Sequence, residues 1–293
     1  MINAVKKHPF VTVFFLLCFL SLLVAVYAIR SLSGGGIAIP SGDKIAIIEI
    51  DGVILDSKET LEEIEGVSKN DKVKGVVIRI NSPGGGVAPS QEIYSELRKL
   101  SSIKPVVASL SSVAASGGYY IASAANKIVA NSGTLTGSIG VIMDFSNVQG
   151  LFEKVGLKNN VIKSGKYKDI GSPHRDMTLD ERRLLQSVID NVHGQFISAI
   201  VDGRKLDREL VEKVADGRVF SGEQALAMKL VDSLGTINDA IEITATMASI
   251  EGEPKVYYTK KDKSLIDFIL ENTYAGAIYE RISMPQFMFL ATF

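Results

Sequence analysis

The residues best suited to chemistry lie in Val113-Ala114-Ala115-Ser116-Gly117-Gly118-Tyr119-Tyr120, between an apolar run from Val106 to Leu110 and a helix-like Ile121 to Ala125. A serine between a buried strand and a helix start is placed to attack a carbonyl. Ala114 and Ala115 leave room for a substrate. Gly117 and Gly118 let backbone N–H groups approach the reacting atom with no side chain in the way. The same residues also suit a glycine-flexed turn with a capping serine, so a catalytic reading needs oxyanion donors and a base elsewhere in the chain. Further donors are offered by Gly84 and Gly85 in Asn81-Ser82-Pro83-Gly84-Gly85-Gly86. For the base, His174 follows Ser172-Pro173, and Lys166 and Lys168 lie in the glycine-bounded segment Ser164 to Pro173. A lysine serves as base near neutral pH only where desolvation disfavours its charged form. Residue types alone leave both kinds of base open.

The elements that must position these groups alternate along the chain. Lys44 to Ile50 and Val73 to Ile80 are β-branched runs separated by a helix-like acidic segment, Lys58 to Val67, a pattern that predicts a parallel pair. The second run stops at the Gly84-Gly85 turn, at the strand end where α/β sheets place their ligands. Gln91 to Leu100 has helical spacing, Pro105 to Leu110 reads as a strand, and Lys127 to Ala130 and Ser138 to Met143 read as two more. Val148 to Val155 follows as a helix. Thr178 and Glu181 form a capping box opening a long helix with Leu185, Val188, Val192, Phe196 and Ile200 on one face. His193 belongs to this helix and reads as structural. Further helices start at Ser221 and Gly235, the last reaching about Ile250; Lys255 to Thr259 suits a strand and Leu265 to Ile269 a helix. The expected fold is an α/β domain with buried parallel strands and flanking helices. The apolar end, Met284 to Phe293, must pack on its own core, a second copy or a bilayer surface.

Composition narrows the function. With 32 Lys and Arg against 33 Asp and Glu in 293 residues, no basic footprint for nucleic acid exists. Cys18 is the only cysteine and lies in the first apolar run, and the three histidines lack ligand spacing, so neither an intramolecular disulfide nor a metal cofactor is expected. Phe10 to Ile29 is an uncharged apolar run long enough as a helix to cross a ~30 Å bilayer core. Lys6 and Lys7 before it, against Arg30 after it, place residues 1–9 in the cytoplasm and the domain on the outer side of the cytoplasmic membrane. Residues 30–43 form a glycine-rich tether, residues 44–250 the main domain and residues 251–293 a C-terminal extension.

Several motifs occur in a telling order: Asn81 to Gly86, Ala114 to Ile121, Leu135 to Val141, Ser164 to Ile170 and Gly217 to Gln224. Together they resemble signal peptide peptidase A, short form, a family of membrane-anchored Ser/Lys proteases of the ClpP/crotonase fold. The resemblance covers about Lys44 to Ile250. It implies that Ser116 is the nucleophile, that Lys168 is the general base, and that Ser138 orients that lysine. It further implies an oxyanion hole from the Gly84-Gly85 turn and the N–H of Gly117, with no role for Lys166 or His174 and no cofactor. The implied substrates are hydrophobic peptides, notably cleaved signal peptides, and the implied assembly is a homo-oligomer in which Ser116 of one subunit meets Lys168 of its neighbour. A crotonase-like acyl-CoA enzyme is the rival reading on the same fold, opposed by the anchor because CoA is cytoplasmic. An inactive membrane scaffold is another, opposed by the complete set of Ser116, Lys168 and Ser138.

Overall fold

A computed structural model describes residues 17–22, 43–260 and 288–290. The chain divides into two compact units, Met1–Gly42 and Asp43–Phe293. In the first, residues 17–22 are helical and exposed. The remainder of the expected anchor, the tether up to residue 42 and the expected helix from Leu265 to Ile269 lie outside the described residues. Among the described residues no helix is long and apolar enough to cross a membrane.

The second unit is built on a parallel-rich sheet. β1 (Lys44–Asp51), α1 (Lys58–Lys69) and β2 (Val73–Ser82) form the expected strand–helix–strand unit, with Ile45 opposite Gly75 and Ile50 opposite Ile80. A short β3 (Gly84–Gly86) leads into α2 (Val87–Ser101), which begins at Val87 rather than Gln91. Pro89 permits the earlier start, since a first helical turn has no acceptor for the N–H that proline lacks. β4 (Val106–Ala115) then crosses the centre of the sheet and delivers the chain to α3 (Gly117–Ala122). One edge of β4 pairs with β2; the other pairs first with β5 (Lys127–Ala130) and then with β6 (Leu135–Gly137).

The expected strand from Ser138 to Met143 is not formed; β6 ends where it was expected to begin. Gly137 and Ser138 have φ of 78° and 50°, and two successive left-handed residues turn the chain out of the extended path. After α4 (Gln149–Lys154) comes α5 (Leu179–Arg204), opened by the expected capping box, in which the Glu181 N–H donates to Thr178 Oγ1 at 3.2 Å. Only the second half of its apolar stripe is buried, at Phe196 and Ile200; Leu185, Val188 and Val192 are partly covered. The unit continues through α6 (Arg208–Glu212), β7 (Val219–Ser221), α7 (Gly222–Ala227), β8 (Ser233–Leu234) and α8 (Ile237–Met247). β9 (Lys255–Tyr258) adds to β1, and β10 (Met288–Leu290) pairs with β3, so the C-terminal extension supplies two strands.

The main sheet runs β7-β6-β4-β2-β1-β9, with β5 and β8 branching from β4. Its pairs are parallel except β6 with β7. Alternation along each strand sorts the core into two faces. Ala46, Ile48, Ile78 and Ile80 pack with Ile93 and Leu97 of α2 and Phe196 of α5, whereas Ile45, Ile47, Val77 and Val107 pack with Ala240 and Ala245 of α8. Parallel pairing also brings the C-terminal ends of β2, β4 and β6 to one side, and the motif glycines and serines gather there.

Helix α8 sits close because Gly75 has no side chain: a Cβ there would stand 2.5 Å from Thr244 Cγ2, and Thr244 is fully buried. Gly75→Ala should therefore lower stability by about 1–3 kcal/mol through overpacking, read as a lower urea midpoint. The double variant Gly75→Ala/Thr244→Ser, which removes the clashing methyl, should recover most of the loss. An unchanged midpoint in Gly75→Ala would contradict this packing.

Candidate active site

Ser116 caps the junction of β4 and α3 with φ 52° and ψ −117°. Such a backbone costs of order 1–3 kcal/mol in a residue with a side chain and persists only where neighbours hold it. Here its N–H donates to the Gly137 carbonyl at 2.8 Å, and its own carbonyl accepts the Tyr120 N–H at 2.8 Å. The residue is 1% exposed, and its hydroxyl has no hydrogen-bond partner among the described residues. A buried hydroxyl normally finds a partner, and one without a partner is free to act on a bound group.

Two glycine turns meet beside it. The Ile54 N–H donates to the Gly84 carbonyl at 2.9 Å and the Gly86 N–H donates to the Ile54 carbonyl at 2.7 Å, while the Gly84 N–H donates to Ser82 Oγ at 3.1 Å. Because alternate residues of an extended strand direct their polar groups to opposite sides, the N–H and carbonyl of Gly85 point away from Ile54. A Cβ on Gly85 would stand 2.1 Å from the Ile54 carbonyl oxygen, and one on Gly117 would stand 2.7 Å from Ser90 Oγ and 3.2 Å from the Gly85 nitrogen. Backbone therefore approaches backbone at distances that only glycine permits. Sequence reasoning offered Gly84 and Gly85 equally; in the fold the Gly84 N–H is taken by Ser82 Oγ.

On its open side β3 carries β10, antiparallel, with Met288 opposite Gly86, Phe289 opposite Gly85 and Leu290 opposite Gly84. The apolar tail thus pairs with the glycine strand of its own catalytic unit. Ser138 follows β6, whose Gly137 is in register with Ala115, so the turns carrying Ser116 and Ser138 lie side by side. Ser138 is 8% exposed, and its N–H donates to the Arg218 carbonyl at 2.8 Å.

The candidate bases stand apart from the serine. Lys168 is exposed on a loop of turns, where its N–H donates to the Gly165 carbonyl at 3.2 Å. Lys166 Nζ lies 2.8 Å from Asp180 and 5.1 Å from the Tyr167 ring centre; the Asp180 hydrogen bond holds its pKa above the ordinary lysine value, the wrong direction for a base. The His174 ring packs on Phe152 at 4.6 Å. None of them hydrogen-bonds Ser116 Oγ. The lysine-bearing region is unusually apolar on its surface: Leu151, Val155, Leu157 and Val161 are at least half exposed, and Ile162 is fully so. Among the described residues no group of acidic, histidine or cysteine side chains could hold a metal ion.

Two carboxylates anchor this loop, Asp169 and the capping-box Glu181, through partners that sequence reasoning missed. Asp169 accepts from Lys163 Nζ at 2.5 Å and from Arg175 Nε at 3.0 Å, and Arg175 Nη1 donates to Glu181 Oε2 at 2.8 Å. The capping box was legible and pointed to Glu181; nothing in the spacing pointed to Arg175.

With this geometry the known relatives can be compared. Residues 98–251 match the model of peptidase family S49, and residues 48–135 match that of Clp protease. The chain belongs to peptidase family S49. A Synechocystis protein carrying a provisional protease name is 48% identical over 210 residues, covering 71% of this chain and 76% of that one. Protease 4 of Salmonella typhi is 34% identical over 242 residues, covering 79% of this chain but 39% of its own length. Among solved structures, a 1510-N membrane-bound stomatin-specific protease mutant in complex with a substrate peptide superposes with a TM-score of 0.51 at 15% identity, over 80% of this chain and 99% of that one. The protein is thus a serine protease of the signal peptide peptidase A type on a ClpP-like α/β fold.

The loop anchors carry a pH dependence. Arg175 and then Lys163 hold the Asp169 carboxyl well below the usual carboxylate range, and Arg175 followed by the Thr178 N–H draws Glu181 down to about 2. Because folding depresses both, their stabilisation is complete above the ordinary carboxylate values of about 4 and is lost as pH falls toward 2. Hydrogen exchange in residues 163–181 should therefore stay slow from neutral pH down to about 5 and accelerate below about 4. Acceleration already complete at pH ~6 would contradict the assignment.

Proposed function

We propose that this S49 member is a membrane-anchored serine endopeptidase working through a Ser/Lys dyad on hydrophobic peptides, notably signal peptides left in the membrane after cleavage. The observation that carries this reading is the buried, unpartnered Ser116 hydroxyl on a left-handed turn beside the two glycine backbones. Ser116 Oγ attacks the scissile carbonyl, and Lys168 as general base takes its proton and later gives it to the leaving amine. Ser138 orients the lysine from the adjoining turn. The N–H groups of Gly85 and Gly117 hold the oxyanion. Water then releases the acyl group from Ser116, with Lys168 again as base. The relatives' protease names and the substrate-peptide complex of the structural neighbour support the peptide-bond chemistry.

The dyad is shared between subunits. Ser116 is fixed by the sheet, whereas Lys168 lies on an exposed loop within an apolar surface that a second copy would bury. Phe10 to Ile29 anchors the chain, with residues 1–9 cytoplasmic and the catalytic unit on the outer side. The substrate adds as a strand to β3, along the edge that β10 occupies, a mode in which main-chain hydrogen bonds give affinity for extended chains.

Three experiments test this reading. A fluorophosphonate should label the wild type and not Ser116→Ala, and mixing inactive Ser116→Ala subunits with inactive Lys168→Ala subunits should restore cleavage of a leucine-rich peptide; silence from confirmed mixed oligomers would exclude a shared dyad. A chain truncated before Met284 should show a lower KM for that peptide at unchanged kcat, because the competing strand is gone. An unchanged KM would mean that β10 and substrate do not share the β3 edge.

A further inference from the structure

Lys168 belongs to no helix or strand, yet a base must be held to within a fraction of an ångström of its serine. Its own backbone bond, to Gly165, lies within the same turn and fixes nothing relative to the rest of the unit. Lys163 and Lys166 pair with Asp169 and Asp180, but the side chain that joins the neighbour of Lys168 to the buried Glu181 is Arg175. Its Nη2 lies 2.9 Å from Asp169 Oδ1 and donates to the Asp169 main-chain carbonyl at 3.2 Å, so it grips the neighbour of Lys168 by side chain and backbone together. Its Nη1 donates at 2.8 Å to Glu181 and at 3.0 Å to the Asp176 carbonyl. Glu181 is 2% exposed, and its Oε2 accepts the Thr178 N–H at 2.9 Å, joining the cluster to the first turn of α5. The planar guanidinium, with donors in a fixed fork, holds two carboxylates in one relative geometry as a lysine cannot. The α5 cap itself is complete with Thr178 and Glu181 alone, so the Arg175 bonds to Asp169 serve the loop rather than the helix.

We propose that Arg175, clamped between Asp169 and Glu181, is a positioning residue for Lys168. This rests on Lys168 being the base. Arg175 touches neither substrate nor serine. It places the backbone from which the lysine reaches the serine, and it does so from the subunit that supplies the lysine.

The test uses the full-length protein and a leucine-rich peptide. Arg175→Gln should lower kcat by about 10- to 100-fold with KM within about twofold, and with oligomer size and melting temperature retained. Arg175→Lys should restore part of the loss. Mixing then assigns the defect to one half of the site. Arg175→Gln subunits should regain activity with Ser116→Ala subunits, which supply a well-placed lysine, and stay at the reduced rate with Lys168→Ala subunits, which need one. Equal rescue of Lys168→Ala by Arg175→Gln and by Ser116→Ala subunits would overturn the proposal, as would an unchanged kcat, or failure of Arg175→Gln with both partners, which would mark a folding defect. If Ser116→Ala and Lys168→Ala fail to complement each other while Arg175→Gln still loses kcat at constant KM, the shared dyad falls and the positioning role stands within one subunit.

Discussion

The left-handed turn at Ser116 exists because the end of β6 is there to receive its N–H. The bond to the Gly137 carbonyl at 2.8 Å holds a backbone that a serine would otherwise avoid. That bond requires Ala115 and Gly137 to be in register, which requires β4 and β6 to be parallel neighbours. The same turn sets Gly117 tightly against Gly84 and Gly85, where a Cβ would stand 3.2 Å from the Gly85 nitrogen and 2.7 Å from Ser90 Oγ. Sheet register, turn strain and glycine contact are therefore one constraint: a slip in pairing or a methyl group at the contact displaces hydroxyl and N–H donors together.

The two halves of the site are held by different physics. Ser116 and the glycines sit on the ends of buried parallel strands, where dense apolar packing and sheet hydrogen bonds leave little freedom. Lys168 rides on a loop whose order comes from charge-assisted bonds among Lys163, Asp169, Arg175 and Glu181. Exposed ion pairs contribute little. Here, however, Glu181 is buried and Asp169 nearly so, and the shared guanidinium couples them. The Ser116 turn is thus formed by the sheet alone, and the Lys168 loop by its ion pairs.

The glycine strand has a second consequence. Its Ile54 side is closed by backbone bonds, whereas the polar groups of Gly85 face β10. A three-residue strand with no side chains thus pairs with Met288–Leu290 through main-chain contacts alone.

Local patterns were enough for much of this protein. β-Branched apolar runs predicted β1, β2 and β5, the Thr178–Glu181 capping box predicted the start of α5, and ordered motifs singled out Ser116, Ser138, Lys168 and the glycine turn, because each signal lies within a few consecutive residues. The sequence could not show that β6 stops at Gly137, since an apolar run reads as a strand until two positive φ values bend it. It could not show that the Gly84 N–H is taken up within its own turn while Ile54 closes one side of the glycine strand, because both bonds depend on how Ser82 and Ile54 fold back onto it. Arg175 was likewise illegible: its carboxylate partners are near in sequence, but only the folded loop aims all three groups at one another. Pairing of the tail with β3 joins segments about two hundred residues apart. Residue types and short-range periodicity determined which groups could act; long-range register and packing decided which were buried, which were bonded and which were left free, because those depend on neighbours that no local pattern encodes.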